Sequence, residues 1–207
     1  MKKILKFLLM FVVIIGIKSP IFAEEKPLVV YFSYYENSEL PQGVDVSASA
    51  SIQVWNDKNT GNTGFLANMI AEKVDGHLQP ILVANKYPAD YREATHRGRT
   101  EQMRKIRPRL VNEIENFSHY DTIYLGFPIW WRTMPMAVFV FFDSYNFSGK
   151  TIVPFMTNGG LGHLDIVATI KSLEPEAKVF DGINISGREV TTAEEAVIQM
   201  IKEVMGK

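Results

Sequence analysis

Leu28-Val29-Val30-Tyr31-Phe32-Ser33 is the stretch that most narrows the folds open to this chain. It is β-favouring, almost wholly apolar and without polar alternation. That describes a strand covered on both faces, and such strands belong to parallel sheets flanked by helices. The pattern recurs. Leu78 to Val83, Asp121 to Gly126 and Thr151 to Met156 read as three more strands, and Lys178 to Phe180, extendable to Ile185, as a fifth. Helical runs separate them. Phe65, Leu66, Met69, Ile70 and Val74 recur at three- and four-residue spacing behind a cap at Asn62 or Thr63. Pro135 to about Tyr145 is apolar nearly all round and so deeply buried. A helix is expected from about Leu164 to Leu173. A closing helix is expected behind Thr192, with Glu195 at capping-box spacing and Ala196, Val197, Met200, Ile201 and Val204 as its inner stripe. Pro108 is expected to open one more helical segment through Ile114, because proline is tolerated in a first turn. The alternation predicts an α/β fold, a doubly wound five-stranded parallel sheet with helices on both faces and right-handed crossovers.

The first residues carry a different message. Lys2, Lys3 and Lys6 precede an apolar run from Phe7 to Ile17, and Ser19-Pro20-Ile21-Phe22-Ala23 supplies a helix break and a small residue. This is the pattern of a secretory signal peptide over residues 1–23, cleaved after Ala23 to leave a single domain of residues 24–207. The run is shorter than the ~20 residues a bilayer span needs, so no stable membrane span is expected once it is removed. An uncleaved N-terminal anchor is the competing reading, since Ile21 is larger than the residue usual two positions before a cut. The mature chain is thus expected to be exported, periplasmic or extracellular. Removing residues 1–23 takes four of the 22 basic residues and none of the 23 acids, leaving 18 against 23 and a net charge of −5. Mild acidity of this kind argues against a nucleic-acid partner. The chain has no cysteine, which excludes disulfides, cysteine nucleophiles and iron–sulfur ligation.

Three strand exits are unusual. Asn59-Thr60-Gly61-Asn62-Thr63-Gly64 is a hydroxyl- and glycine-rich turn leading straight into a helix, where free amides and the helix dipole favour an anion. No lysine follows the glycine, so the turn is not a nucleoside-triphosphate loop but an uncharged phosphate cradle. The third strand runs into Phe127-Pro128-Ile129-Trp130-Trp131-Arg132-Thr133-Met134-Pro135. Two adjacent tryptophans there cannot both point inward without a special turn. Core packing accounts for one, and a bound aromatic ring system would account for the other. The fourth strand ends in Thr157-Asn158-Gly159-Gly160-Leu161-Gly162-His163, whose glycines let backbone approach a ligand closely. All three loops leave the carboxyl ends of strands, where open α/β sheets bind ligands. Residues 34–58, between the first strand and the cradle, are an insertion too long for an idle connection. Their alternation through Val54 suits either a hairpin folded over the cradle or a surface excursion.

Other features are less pointed. Arg92, Arg97, Arg99, Arg104, Lys105, Arg107 and Arg109 read chiefly as a solvated helix face, with docking of an acidic partner or a nicotinamide phosphate as the sharper alternative. His77, His96, His119 and His163 have no ligand spacing, so no metal site is expected. No G-x-S-x-G elbow supports hydrolysis.

Thr60-Gly61-Asn62-Thr63, Gly126-Phe127-Pro128-Ile129-Trp130-Trp131, Gly149-Lys150-Thr151 running to Thr157-Asn158-Gly159-Gly160, and Tyr87-Pro88-Ala89-Asp90-Tyr91 together resemble the flavodoxin-like FMN proteins. The likeness is to the branch with a G-[YF]-P-I-W-W loop, and it covers nearly all of the mature chain in consistent order. It implies the strand order 2-1-3-4-5. It also implies FMN, with its phosphate on Ser33 and the Asn62-Thr63-Gly64 turn and Thr60 as a further candidate. The ring would lie between Pro128, Ile129, Trp130 and Trp131 on one side and Thr157, Asn158, Gly159, Gly160 and Gly162 on the other. The peptide at Gly126-Phe127 would then approach the ring nitrogen N5, with the glycine free to let it rotate. Arg132 is a candidate for stabilising reduced flavin and His163 for donating a proton, though a solvated arginine and a surface histidine are the commoner explanations. The insertion and the lack of an aromatic after the fourth strand depart from short flavodoxins and leave one ring face open.

Three functions follow. The first is electron transfer outside the cytoplasm with a redox partner protein or a small-molecule acceptor. The second is NAD(P)H-dependent reduction of quinones or nitro compounds. The third is non-catalytic binding on a retained fold. The Lys-Lys signal, lacking a twin arginine, implies export as an unfolded chain and uptake of FMN outside.

Overall fold

The computed structural model describes residues 26–40, 52–160 and 165–206. The expected signal peptide, residues 41–51 of the insertion, Gly162 and His163 lie outside the described residues. In chain order the elements are β1 (Leu28–Tyr31), β2 (Ile52–Trp55), β3 (Lys58–Gly61), α1 (Asn62–Val74), β4 (His77–Pro80), α2 (Tyr91–Arg104), β5 (Thr122–Pro128), α3 (Met136–Ser144), β6 (Thr151–Asn158), α4 (Ile166–Leu173), β7 (Lys178–Val179), β8 (Ile183–Ser186) and α5 (Glu194–Met205).

The main sheet is parallel throughout, in the order β4-β1-β5-β6, with β7 and then β8 on the outer edge of β6. This is the expected 2-1-3-4-5 arrangement with its last strand in two pieces. The break has a local cause. Ile152 pairs with Val179 and Phe155 with Ile183, so the outer strand uses one residue more than β6 over the same interval. That is a bulge. It sits opposite Pro154, which has no N–H to offer, at Gly182, whose φ is +65°. A Cβ on Gly182 would lie 1.8 Å from the Pro154 carbonyl oxygen, so only glycine fits.

β1 shows why the opening run has no polar alternation. Leu28, Val30 and Phe32 enter one core with Phe141, Phe142 and Phe147 from α3 and its exit and Ile166 and Ile170 from α4. Val29 and Tyr31 enter the other, with Phe65, Leu66 and Ile70 of α1 and Val197, Met200 and Ile201 of α5. Both faces are buried because helices cover both.

Several boundaries differ from expectation. Neither Asn62 nor Thr63 caps α1: Gly61 is the capping residue and offers no side chain. Thr192 does not cap α5 either, because a short 3-10 turn over Val190–Thr192 leads into it and Ala193 stands at its start. Residues after Pro108 form no helix. They run back along the exit of β4, with Ala84 N–H donating to Arg109 O, Val111 N–H to Leu82 O and Leu82 N–H to the Asn112 side chain. A seven-residue helix is marginal on its own, and the unpaired backbone of Leu82 to Ala84 outcompetes it. The basic run lies largely on α2 and is exposed except at Arg97, which turns inward. Arg97 pairs with buried Glu101 at 2.8 Å, and its guanidinium carbon sits 4.2 Å from the centre of the Tyr87 ring.

The last described residues of the insertion enter a hairpin. β2 and β3 form an antiparallel hairpin whose turn residues Asn56 and Asp57 both have positive φ, as a two-residue hairpin requires. It packs on α1, with the Trp55 and Phe65 rings edge to face at 4.9 Å. The hairpin therefore delivers the chain directly into the expected cradle.

Candidate functional site

Three segments meet at the carboxyl end of the sheet. The first is the exit of β1. Ser33 is buried there, and a Cβ on Gly61 would fall 1.8 Å from its Oγ. The glycine is what allows the cradle turn to close onto the strand end. The second is the turn itself, where Thr60 and Thr63 are buried and Gly64 lies in the covered first turn of α1. The Asn62 side-chain oxygen accepts from Gln53 of the hairpin at 2.8 Å. No side chain of the capping residue closes α1, so the positive end of the helix is directed at this turn.

The third segment is the end of β6. Thr157 is buried, and its hydroxyl lies 2.8 Å from that of Thr63. Asn158 donates to the Asn184 side chain and accepts from Gly160 N–H, a short brace that shapes the loop start. A Cβ placed on Gly159 or Gly160 would meet no atom of the described residues within 4 Å.

The loop after β5 contains the special turn that two adjacent tryptophans need. Trp130 and Thr133 exchange backbone hydrogen bonds of 2.9 and 3.0 Å, and the two residues between them, Trp131 and Arg132, have φ of +49° and +67°. Consecutive left-handed residues without a glycine are uncommon and mark sites where surrounding structure holds the backbone. Ile129 N–H donates to Thr157 O, which ties this loop to the end of β6. Trp130 turns inward and meets Phe32 and Tyr87 edge-on at 5.4 and 5.1 Å.

Trp131 turns the other way, and its environment differs from the expectation. Its indole N–H donates to Thr95 O, its carbonyl accepts from Gln102, and the Arg99 guanidinium lies 4.9 Å from its ring centre. Helix α2 supplies its flat partner, so no ligand is required to hold it. Arg132 is exposed at the corner of the turn. The Gly126 carbonyl is also committed, since it accepts from Phe32 N–H at 2.9 Å, and the Phe155 ring fills the space beside the glycine. Free rotation of that peptide is therefore not available, and the glycine serves close packing within the sheet.

A cleft of about 260 Å³ opens between this loop and the first half of α2. Tyr34, Tyr91, Thr95, Ile129, Trp130 and Trp131 are among the residues that line it. The Tyr34 hydroxyl donates to Pro88 O at 2.6 Å; burial, and then the nearby Asp90 carboxylate, push its ionisation upward.

Two residues that sequence reasoning missed organise the exit of β1. Asn37, buried, donates to Ser33 O and Ile81 O and accepts from Val83 N–H, at 2.8 to 2.9 Å. Beside it, Glu36 reaches the cradle: Thr60 donates to its Oε1 at 2.5 Å, with Gly61 N and the Tyr31 hydroxyl each at 3.4 Å. The burial of Tyr31, and then the Glu36 charge, hold that phenol well above its usual range. No periodicity or motif marks either residue, since both sit in an irregular turn.

Among the described residues, no cluster of His, Asp and Glu side chains is placed to hold a metal ion, and no helix is long and apolar enough to cross a membrane.

Known proteins share this fold. A family model described as Flavodoxin matches residues 54–202. No curated protein matches the chain. Among solved structures, a protein assigned as a flavoprotein from Bacteroides uniformis ATCC 8492 is 31% identical, with a TM-score of 0.64, over 86% of this chain and 97% of that one. One from Bacteroides eggerthii DSM 20697 is 25% identical, with a TM-score of 0.60, over 84% and 98%. A flavoprotein from Lactobacillus acidophilus NCFM, solved in complex with FMN, shares the fold at a TM-score of 0.56 and 19% identity, over 81% and 97%. The family match begins inside the hairpin that feeds the cradle and ends in the last helix, and on that breadth the chain belongs to the flavodoxin family.

Proposed function

We propose that this chain binds FMN and does redox work outside the cytoplasm, as an electron carrier for a redox partner protein or a small-molecule acceptor. The observation that carries the reading is the meeting of Ser33, the first turn of α1 and Thr157 at one sheet end, joined by the Thr63–Thr157 contact of 2.8 Å. Hydroxyls and backbone amides there suit a phosphate group, and the glycine at position 61 is the cradle that any Cβ would fill. Ser33, Asn62, Thr63 and Gly64, with Thr60 beside them, would hold the phosphate. Pro128 to Trp130 and Thr157 to Gly160 would flank the ring, with Trp131 as an outer wall. The FMN carried by the Lactobacillus acidophilus relative supports the choice of cofactor. Bound FMN supplies reversible electron and hydride chemistry, and the chain's own part is to bind, orient and shield it. The signal-like residues 1–23 support the location.

One observation favours a second reading, NAD(P)H-dependent reduction of quinones or nitro compounds. The cleft lined by Tyr34, Tyr91, Trp130 and Trp131 has the aromatic walls that a flat substrate would enter.

An anaerobic reductive titration of residues 24–207 reconstituted with FMN, followed by visible absorbance with and without NADPH, separates the readings. Inertness to NADPH with stepwise reduction by dithionite supports the carrier. Bleaching by NADPH, reversed with turnover by a quinone, supports the reductase. Failure to take up FMN leaves a retained fold that binds something else.

A further inference from the structure

Among the described residues, Glu36 is the charged side chain that reaches into the cradle, and it is held there. The turn carrying it, Tyr34 to Asn37, closes with Asn37 N–H donating to Tyr34 O at 3.1 Å. The three side-chain hydrogen bonds of Asn37 then fasten that turn to Ser33 and to the exit of β4. Oε1 of Glu36 takes the Thr60 hydroxyl at 2.5 Å and lies 3.4 Å from Gly61 N. Oε2 is buried and has no hydrogen-bond partner among the described residues. No ion pair among the described residues includes Glu36, and the groups facing it are the Tyr31 hydroxyl, Thr60 and the Gly61 amide. A buried carboxylate oxygen without a partner is a costly arrangement, and it persists here against the very turn that would receive a phosphate.

We propose that Glu36 is a specificity-determining residue of the cradle: its carboxylate competes with a phosphate for the Thr60 hydroxyl and the Gly61 amide, and its charge repels the dianion. This rests on the FMN reading. The consequence is selectivity between flavins. Riboflavin, which lacks the phosphate, escapes both the competition and the repulsion, whereas FMN meets both. The ring-binding loops then contribute more, and the phosphate less, than the cradle's hydroxyls and amides alone would give. The same contact satisfies Thr60 when no phosphate is bound, so the empty cradle keeps its shape and can take FMN up reversibly.

The test uses Glu36→Gln, which keeps the shape and the acceptor oxygen but removes the charge. Flavin-free wild-type and variant proteins are titrated with FMN and with riboflavin by flavin fluorescence, and each is melted in inorganic phosphate and in chloride at matched ionic strength. The variant is expected to bind FMN about tenfold more tightly while riboflavin affinity changes less than about twofold. Phosphate is expected to raise its melting temperature above the chloride value by more than it does for the wild type. Equal tightening of both flavins, or unchanged or weaker FMN binding together with an unchanged phosphate effect, overturns the proposal. If neither protein binds either flavin while the phosphate effect still appears, the competition at the cradle stands and the FMN reading is what fails. Glu36→Ala, melted alongside, separates loss of charge from loss of the Thr60 contact: a lower melting temperature without phosphate, restored by phosphate, is the expected result, and no restoration counts against the competition.

Discussion

The hydroxyls of Thr63 and Thr157, 94 residues apart in the chain, meet at 2.8 Å and join the first turn of α1 to the end of β6. Both side chains are buried, so neither hydroxyl has water to fall back on. The contact ties the two walls of the cradle to each other.

Thr157→Val is expected to destabilise the protein by about 1–2 kcal/mol, because it strands the Thr63 hydroxyl. Thr63→Val is expected to cost a similar amount. The double variant should be no less stable than either single one, since removing both partners leaves nothing unpaired. Urea unfolding of the four proteins measures the coupling, and strictly additive losses would show that the contact carries no energy.

The two tryptophans are expected to separate cleanly. Trp130→Ala opens a gap between Phe32 and Tyr87 and should cost about 3 kcal/mol. Trp131 is 38% exposed, and its replacement by Ala should cost about 1 kcal/mol. Because φ at Trp131 is +49°, Trp131→Gly should be the more stable of the two replacements by about 0.5–1 kcal/mol, despite its smaller side chain. Chemical denaturation ranks the three, and an Ala variant more stable than the Gly variant would show that the turn relaxes once the indole is gone.

Much of this architecture is readable from residues alone. Unalternated runs such as Leu28 to Ser33 announce strands covered on both faces, and the three polar or glycine-rich strand exits stand out by composition. The misses share a cause. Pro108 opens no helix because the backbone of Leu82 to Ala84 needs partners from residues 109–111, a requirement invisible in the local sequence. Asn37 works through Ser33, Ile81 and Val83, the last two more than 40 residues away, and single polar residues in irregular turns carry no periodic signature. Trp131 finds its flat partner on α2, where the small residues Ala94 and Gly98 are spaced to let the loop approach, as only the packing reveals.

Alkaline pH should weaken the fold through its phenols. Burial pushes Tyr124 up to about 12, and it holds Tyr31 and Tyr87 still higher. The folded pKa is raised above the unfolded one near 10, so full stability is present below pH 10. Above it the unfolded chain loses protons that the folded one keeps, and stability falls as pH rises through the folded value. Each such tyrosine contributes a slope of about 1.4 kcal/mol per pH unit in that window. Urea midpoints should therefore hold up to about pH 10 and drop steeply above it, and Tyr124→Phe should remove about one tyrosine's share of the slope. An unchanged slope in that variant would mean that Tyr124 ionises equally in both states.

The bulge at Gly182 also shapes the outer border of the sheet. An uninterrupted outer strand beside β6 would present a row of unpaired amides and carbonyls, a template on which a neighbouring chain can add a strand of its own. Here that border is broken into the two residues of β7, which carry Lys178, and the four of β8. The opposite border, β4, is four residues long and ends in Pro80. Neither rim offers enough flat, continuous backbone for sheet to grow upon sheet. The one-residue misfit at Pro154 thus leaves an edge of two short pieces, a form that disfavours fibrous self-association.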